Sequence, residues 1–413
     1  MSAAVSARTP APPLTRAEWG VLLVLVAVQF THMVDFVIIM PLGHRLQQEL
    51  GIDPTQFGSV VAAYAWGAGI ASLLAASMID RFDRRSALLA LYGGFGVSTL
   101  LCGLSRDFHE LLIARTLAGV FGGLASVSLM AVIGDVFPTE KRGRATGAVV
   151  SAFAAASVIG LPIGLTFAEW YGRGAPFVAL AGVSAAVWVL AWVRLPSVRG
   201  HVGATRRHPV VEFVAVARVR NHLWGFAFSF FLVLGTFTVA SFIAPVYTAA
   251  NGWTEGTLAL IYFVAGLCTF VGTNVVGRLA DRFPRLVLFR ILAAAAMVLA
   301  VVVSQISVVS FWGAAAAISG FMVAAAGRMV PAQAMMLGAS VPAMRGSFMS
   351  LNTAVQHLAT GLAPMIAGAI LTRWPDGFAL VGWVSAATAA VSLVLAGRLK
   401  PAPAPAVVAA AAA

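Results

Sequence analysis

The sequence predicts an all-helical integral membrane protein with twelve transmembrane helices in two six-helix halves. Three observations carry that prediction: the composition, the number of long apolar runs, and two loop sequences that recur about 200 residues apart. Of 413 residues, 60% are hydrophobic and only 10% charged, with a mean hydropathy of +0.92. Soluble globular chains carry about 25% charged residues. Polar and Pro/Gly interruptions cut the chain into twelve runs of a length that crosses a bilayer, for which a helix needs about 20 apolar residues.

The runs in order are 19–42, 55–78, 86–105, 108–133, 144–168, 175–195, 222–249, 256–277, 286–306, 309–337, 345–371 and 377–397. The proline-broken segment 1–18 reads as a cytoplasmic tail, and the run after it is too long for a signal-peptide core. The first span is therefore expected to be retained. The longest polar interval separates a six-span half at 19–195 from a second at 222–397, so 196–221 reads as a cytoplasmic linker with room for a short helix. The alanine- and proline-rich end, 398–413, is expected to be disordered. Cys102 and Cys268 sit in apolar runs, far from any metal-ligand or CxxC spacing.

Charge fixes the expected orientation. Of 27 Lys and Arg residues, 21 fall in segments on one side, four on the other, and two, Arg115 and Arg328, inside spans. Positive loops stay inside, so both termini are expected to be cytoplasmic, in a plasma (bacterial inner) membrane. The net charge of +12 is thereby accounted for as a topology signal facing anionic lipid, with no nucleic-acid partner.

The loop after span two contains "DRFDRR" and the loop after span eight "DRFPRL"; after spans four and ten come "PTEKRGRATG" and "VPAMRGSFMS". Matching loops at nearly one offset mark parallel structural repeats, and in such folds a substrate site lies near mid-membrane between the repeats. At these residues the chain resembles the major facilitator superfamily, whose loop motif runs Gly-x-Leu-x-Asp-Arg-x-Gly-Arg-Arg/Lys. The first copy here is Ala76, Met78, Asp80, Arg81, Asp83, Arg84 and Arg85; the second is Gly277, Leu279, Asp281, Arg282, Pro284 and Arg285. "RTLAGVFGG" in span four, with Arg115, and "GLPIG" in span five, with Gly160, Pro162 and Gly164, resemble two further motifs of the family. Taken with "DFVIIMPLG", they are most similar to the twelve-helix drug:proton antiporter and sugar-efflux permease group. The resemblance implies a major facilitator fold and a loop that latches the two halves in one conformation. Physically, Asp80 and Asp281 at helix ends can accept from free N–H groups of a neighbouring helix and form charge-assisted bonds to nearby arginines. The expected latch is Asp80, Arg84, Arg85, Gly277, Asp281 and Arg285.

Asp35 is the one acid of 15 well inside a span. A charge at the bilayer centre costs about 2.5 to 3.5 kcal/mol and lines an internal cavity in most cases. A carboxylate whose solvation changes with conformation is a proton carrier. The alternative is a permanent structural pair with an arginine. His32, one turn away on the same face, is placed to share the proton, and the family resemblance links Arg115 to proton movement or charge balance. Arg328 reads either as a substrate counter-charge or as a side chain snorkelling to the interface. Gln333 in span ten and Asn352, Gln356 and His357 in span eleven are further polar candidates for the cavity wall, while Asn274 in span eight is expected to be glue between helices. Methionines of span ten and aromatics of span seven suit an apolar ligand, though most are expected to face lipid or packing. "GLPIG" reads as a kink or as a close-packing seam.

No nucleophile–base pair or metal-ligand cluster is present in the pattern, so an enzyme is excluded. The expected function is proton-coupled efflux of a small organic molecule by alternating access, without a cofactor other than the coupling proton, by a monomer in the lipid bilayer. A facilitator or symporter for a sugar, metabolite or metal ion is the alternative; a non-transporting receptor is disfavoured.

Overall fold

The computed structural model describes residues 13–78, 82–197, 209–306 and 310–402. Most of the N-tail, part of the linker, the far end of the C-tail and Asp80 lie outside the described residues. Among those described, every regular element is a helix. Eleven helical stretches are long and apolar enough to cross a membrane, and the 25-residue helix Pro54–Met78 stands at the place of the second span.

The first half consists of α1 (Arg16–Ile38), α2 (Gly43–Leu50), α3 (Pro54–Met78), α4 (Arg84–Leu104), α5 (Phe108–Val136), α6 (Thr139–Ala155), α7 (Leu161–Tyr171) and α8 (Ala175–Arg194). The linker contributes α9 (Pro209–Ala217). The second half holds α10 (Arg220–Ala240), α11 (Ile243–Asn251), α12 (Glu255–Ala280), α13 (Arg285–Gln305), α14 (Phe311–Gly327), α15 (Met329–Ala339), α16 (Arg345–Arg373) and α17 (Phe378–Ala396). The ends carrying residues 13 and 402 share one face with most of the Lys and Arg, called here the basic face.

Local chemistry explains the element ends. Thr15 and Glu18 form a capping box at the start of α1, with Glu18 N donating to Thr15 Oγ1 at 3.2 Å and Thr15 N to Glu18 Oε2 at 2.7 Å. Apolar run seven, read as unbroken from sequence, is split at 241–242, and run one leaves the helix over its last four residues, 39–42. Pro41 and Pro245 lack an N–H and crowd the preceding turn, which favours a break before them; hydropathy is blind to the break before Pro245, where both sides are apolar, whereas the helix after Pro41 is polar. The short helices that follow, α2 and α11, end on left-handed glycines, Gly51 at φ 62° and Gly252 at φ 64°. These glycines stand 201 positions apart, the spacing that also separates Asp80 from Asp281. They are a third recurrence of the repeat. A π turn, Ala156–Gly160, joins α6 to α7. Pro162 would clash with the carbonyl four residues before it, and the wider turn relieves this.

The two halves meet along α3 with α16 and along α7 and the π turn with α12. Small residues bring the backbones together. A Cβ on Gly368 would press on the Pro54 backbone, 3.0 Å from its carbonyl carbon, and one on Gly266 would lie 2.8 Å from the Ser157 oxygen. Among the described residues, the polar bonds across the seam are Thr55 Oγ1 to Thr372 Oγ1 at 2.9 Å, Thr55 N to Thr372 Oγ1 at 3.1 Å, Trp66 Nε1 to the Leu358 carbonyl at 3.3 Å, and Arg45 Nη1 to Glu255 Oε1 at 3.5 Å. All four lie between mid-membrane and the face opposite the basic one. On the basic face the ion pairs stay within the first half: Lys141 with Glu18 at 2.8 Å and Arg84 with Asp135 at 2.7 Å. The seam is therefore shut toward the opposite face.

Because the Thr55 and Thr372 hydroxyls touch, the pair Thr55→Cys/Thr372→Cys is expected to form a disulfide in mild oxidant and hold this closure. Transport measured in proteoliposomes should stop on oxidation and return on reduction; unchanged flux through the oxidised protein would show that the seam does not open there.

Candidate functional site

α1 carries Thr31, His32 and Asp35 toward the interior of its half, at the spacing that keeps side chains on one helical face. Asp35 lies one turn before the helix ends, so its carbonyl is among the last four that find no partner inside the helix. Arg115 of α5 takes both acceptors: its Nη1 donates to Asp35 Oδ2 at 2.9 Å and to the Asp35 carbonyl at 3.1 Å. A cation also suits the negative end of a helix dipole. Both side chains are 0% exposed. The guanidinium lies 4.4 Å from the centre of the Tyr64 ring, which is held there because Gly119, one turn along α5, lets the α3 backbone come into contact at Tyr64.

The pair is only half satisfied. The Tyr64 hydroxyl and His32 Nε2 are buried without a partner, Asp35 Oδ1 and Thr99 Oγ1 make no well-formed hydrogen bond although the Thr99 hydroxyl interacts with the Asp35 side chain, and Arg115 Nε and Nη2 have only the Cys102 thiol nearby. His32 makes one long contact, Nδ1 to Ser126 Oγ at 3.4 Å, and its ring centre is 5.9 Å from that of Tyr64. The order Asp35, Arg115, Tyr64, His32 thus forms a contiguous polar column in an apolar bundle. Across the seam, His357 of α16 packs against Gly69 of α3 and is near enough to His32 for their charges to interact.

The second half is built differently. Arg328, between α14 and α15, is 2% exposed and donates from Nη2 to Thr236 Oγ1 at 2.7 Å and to the Leu232 carbonyl at 3.3 Å. It does not snorkel. Its Nε and Nη1 have no partner. Next to it, Ser229, Leu232, Met329, Ala332, Gln333, Met336, Asn352 and Gln356 line a pit of about 10 Å³, room for about one water. The sequence candidates Gln333, Asn352 and Gln356 are brought together there; His357 is not, and lies on the seam.

The remaining candidates fall elsewhere. Gly160 and Gly164 receive Val34 and Ile38 of α1, so the "GLPIG" stretch, with Pro162, seats the helix that bears Asp35. Arg84, buried, pairs with Asp135, while Arg85 donates to the Trp192 carbonyl. Asp83 caps α4 through Ser86 N at 3.1 Å. Asp281 and Arg285 are exposed and form no ion pair among the described residues, and a Cβ on Gly277 would meet open space. Asn274 bonds the Phe270 carbonyl of its own helix at 2.7 Å, so it does not glue α12 to a neighbour; it lines a groove of about 340 Å³ with Phe270 and Arg278. Tyr64, Thr99 and Thr236 were not legible as site residues, since a lone tyrosine or threonine in an apolar run carries no sequence signal.

Comparison with known proteins bears on this geometry. The family model of the Major Facilitator Superfamily matches residues 25–327. A chloramphenicol resistance protein of Streptomyces lividans is 28% identical over 59% of this chain and 62% of its own length. A probable sugar efflux transporter of Helicobacter pylori strain 26695 is 28% identical over 55% of this chain and 57% of its own length. The chain thus spans less than two-thirds of the length of these curated relatives. A D-xylose–proton symporter structure superposes with a TM-score of 0.75 at 16% identity, covering 93% of this chain and 98% of that one. A bacterial homolog of the human lysosomal transporter Spinster, in an inward-facing and unoccupied conformation, gives 0.72 at 15% identity, over 95% of this chain and 100% of that one.

Removing one member of a buried ion pair strands the other charge, at a cost of about 3–5 kcal/mol. Arg115→Gln is expected to lower thermal stability in detergent more than Asp35→Asn/Arg115→Gln does. A double variant that loses the sum of the two single losses would show the pair to be energetically uncoupled.

Proposed function

The chain belongs to the Major Facilitator Superfamily, and we propose that it is a proton-coupled exporter of small organic molecules that works by alternating access. One observation carries this reading: the Asp35–Arg115 pair, fully buried yet with the second carboxylate oxygen and two guanidinium nitrogens unsatisfied. A structural pair gains from complete hydrogen bonding; an incomplete one is poised to exchange a charge partner for a proton. The relatives named for chloramphenicol resistance and sugar efflux support export over uptake.

In this cycle the halves rock about the seam. When the opposite face opens, water reaches Asp35, the carboxylate takes a proton at Oδ1, and its hold on Arg115 weakens. Closure of that face and opening of the basic face return Asp35 to Arg115, and the proton leaves along the Tyr64 and His32 side of the column. A proton moving inward down the membrane potential yields about 2.3 kcal/mol per 100 mV, which drives substrate the other way if both compete for the same central space. The basic face is cytoplasmic, as positive loops require, in a bacterial plasma membrane. Arg328, Gln333, Asn352, Gln356 and His357 contribute to the substrate cavity, and the protein acts as a monomer. Asp80, Arg84, Arg85, Gly277, Asp281 and Arg285 form the basic-face latch in the state where that face is shut; Asp281, exposed here, gains its partners then.

The test is flux in proteoliposomes under an imposed pH gradient, with chloramphenicol as the first of a panel of small organic compounds. Wild type is expected to accumulate a compound against its gradient with an acid lumen, and Asp35→Asn to lose the gradient-driven part while retaining binding. Uphill movement undiminished in Asp35→Asn would end the assignment.

A further inference from the structure

The two halves treat their buried arginines in opposite ways. Arg115 has a carboxylate, and Arg328 has none. The three acids of the second half, Glu255, Asp281 and Asp376, and Glu212 of the linker all lie at helix starts, helix ends or loops, and the buried acid, Asp35, is engaged by Arg115. Arg328 nonetheless stays inside, 2% exposed, bonded only to a hydroxyl and a carbonyl, with Nε and Nη1 free. Burying a guanidinium without a counter-ion costs several kcal/mol, and intramembrane charges that persist despite such a cost mark substrate or ion pathways.

The position of Arg328 says what it awaits. Leu232, whose carbonyl it holds, and Met329, the next residue along the chain, both line the pit. The guanidinium therefore stands at the end of the pit toward the opposite face. Toward the basic face the wall is polar on one side, with Gln333 exposed, Gln356 half-buried and Asn352 Oδ1 buried and unpartnered. Leu232, Met329, Ala332 and Met336 supply the apolar side, and methionine side chains repack easily around varied ligands. A guanidinium with two unpartnered nitrogens, Nε and Nη1, above an apolar, partly polar wall matches a carboxylate on an apolar body, because a charge-assisted bond to a carboxylate supplies the missing counter-charge.

We propose that Arg328 is the anion-recognition residue of the substrate site, and that the chain carries amphipathic organic monocarboxylates. This rests on the transport reading but not on the role of Asp35. The substrate brings the counter-charge that the second half lacks, whereas Arg115 already has one in Asp35 in this state.

The experiment is titration calorimetry on the full chain in nanodiscs, with 2-naphthoate and 3-phenylpropionate each paired with its primary amide. The carboxylates are expected to bind at least about tenfold more tightly than the amides, since the amide leaves the buried guanidinium without a counter-charge. Arg328→Gln should erase the preference, Arg328→Lys should retain part of it, and Asp35→Asn should leave it intact. Equal binding of acid and amide to wild type, a result that needs no variant to fold, overturns the proposal, as does a preference that survives in Arg328→Gln. Carboxylate preference without proton-driven flux would sink the exporter reading and leave the anion site standing. Proton-driven flux of chloramphenicol with no carboxylate preference would do the reverse.

Discussion

The structure turns on a buried carboxylate that has been given one arginine and not enough hydrogen bonds. Everything around Asp35 serves to place it against Arg115 without completing it. α1 stops at Ile38, which frees the Asp35 carbonyl for Arg115 Nη1. Gly160 and Gly164 let α7 approach α1 at Val34 and Ile38, and Gly119 lets α3 bring Tyr64 beneath the guanidinium. Each of these charges alone would be costly in an apolar bundle. Together they form a paired site, and on the proposed reading that pairing is what ties protonation to conformation.

The halves repeat in their loops and differ in their chemistry. Left-handed Gly51 and Gly252 and the two Asp-Arg-Phe sequences recur at one spacing, and the two Arg-Gly sequences at nearly the same one, so the scaffold is duplicated. Its interiors are not. The first half holds a paired acid and base; the second holds an unpaired base beside a pit. On the proposed reading, a pseudo-symmetric frame lets both halves rock as equals while the proton is handled in one and the substrate's charge in the other.

Much of this was legible beforehand, for reasons that can be traced to residues. Long apolar runs and basic loops fix the span count because a bilayer penalises every exception. Asp35, Arg115 and Arg328 stood out because charges in hydrocarbon are expensive. That Asp35 meets Arg115, 80 positions away, was not legible, since the contact depends on where α1 breaks and on glycines that set the distance between helices. The break near Pro245 leaves hydropathy unchanged. Arg45 and Glu255 lie in different halves of the sequence, and only the packed seam makes them partners at 3.5 Å. For Asn274, sequence suggested a bond to another helix, and its own Phe270 carbonyl was closer.

The seam itself is weak where it is polar. Arg45 and Glu255 are each about a quarter exposed, and a pair of that kind contributes at most about 1 kcal/mol. The Thr55–Thr372 bond adds about as much. The rest of the closure is apolar: Phe57 meets Phe242 edge to face and Ile38, Val60 and Tyr64 share a buried cluster with Val239, Ile243 and Tyr247, with backbone contact at small residues such as Gly368 and Gly266. Such packing has no directional bond to break and can be exchanged for equivalent packing in another register. On the proposed reading, a proton crossing 100 mV, about 2.3 kcal/mol, has to offset only the difference between two packed arrangements and not the whole closure.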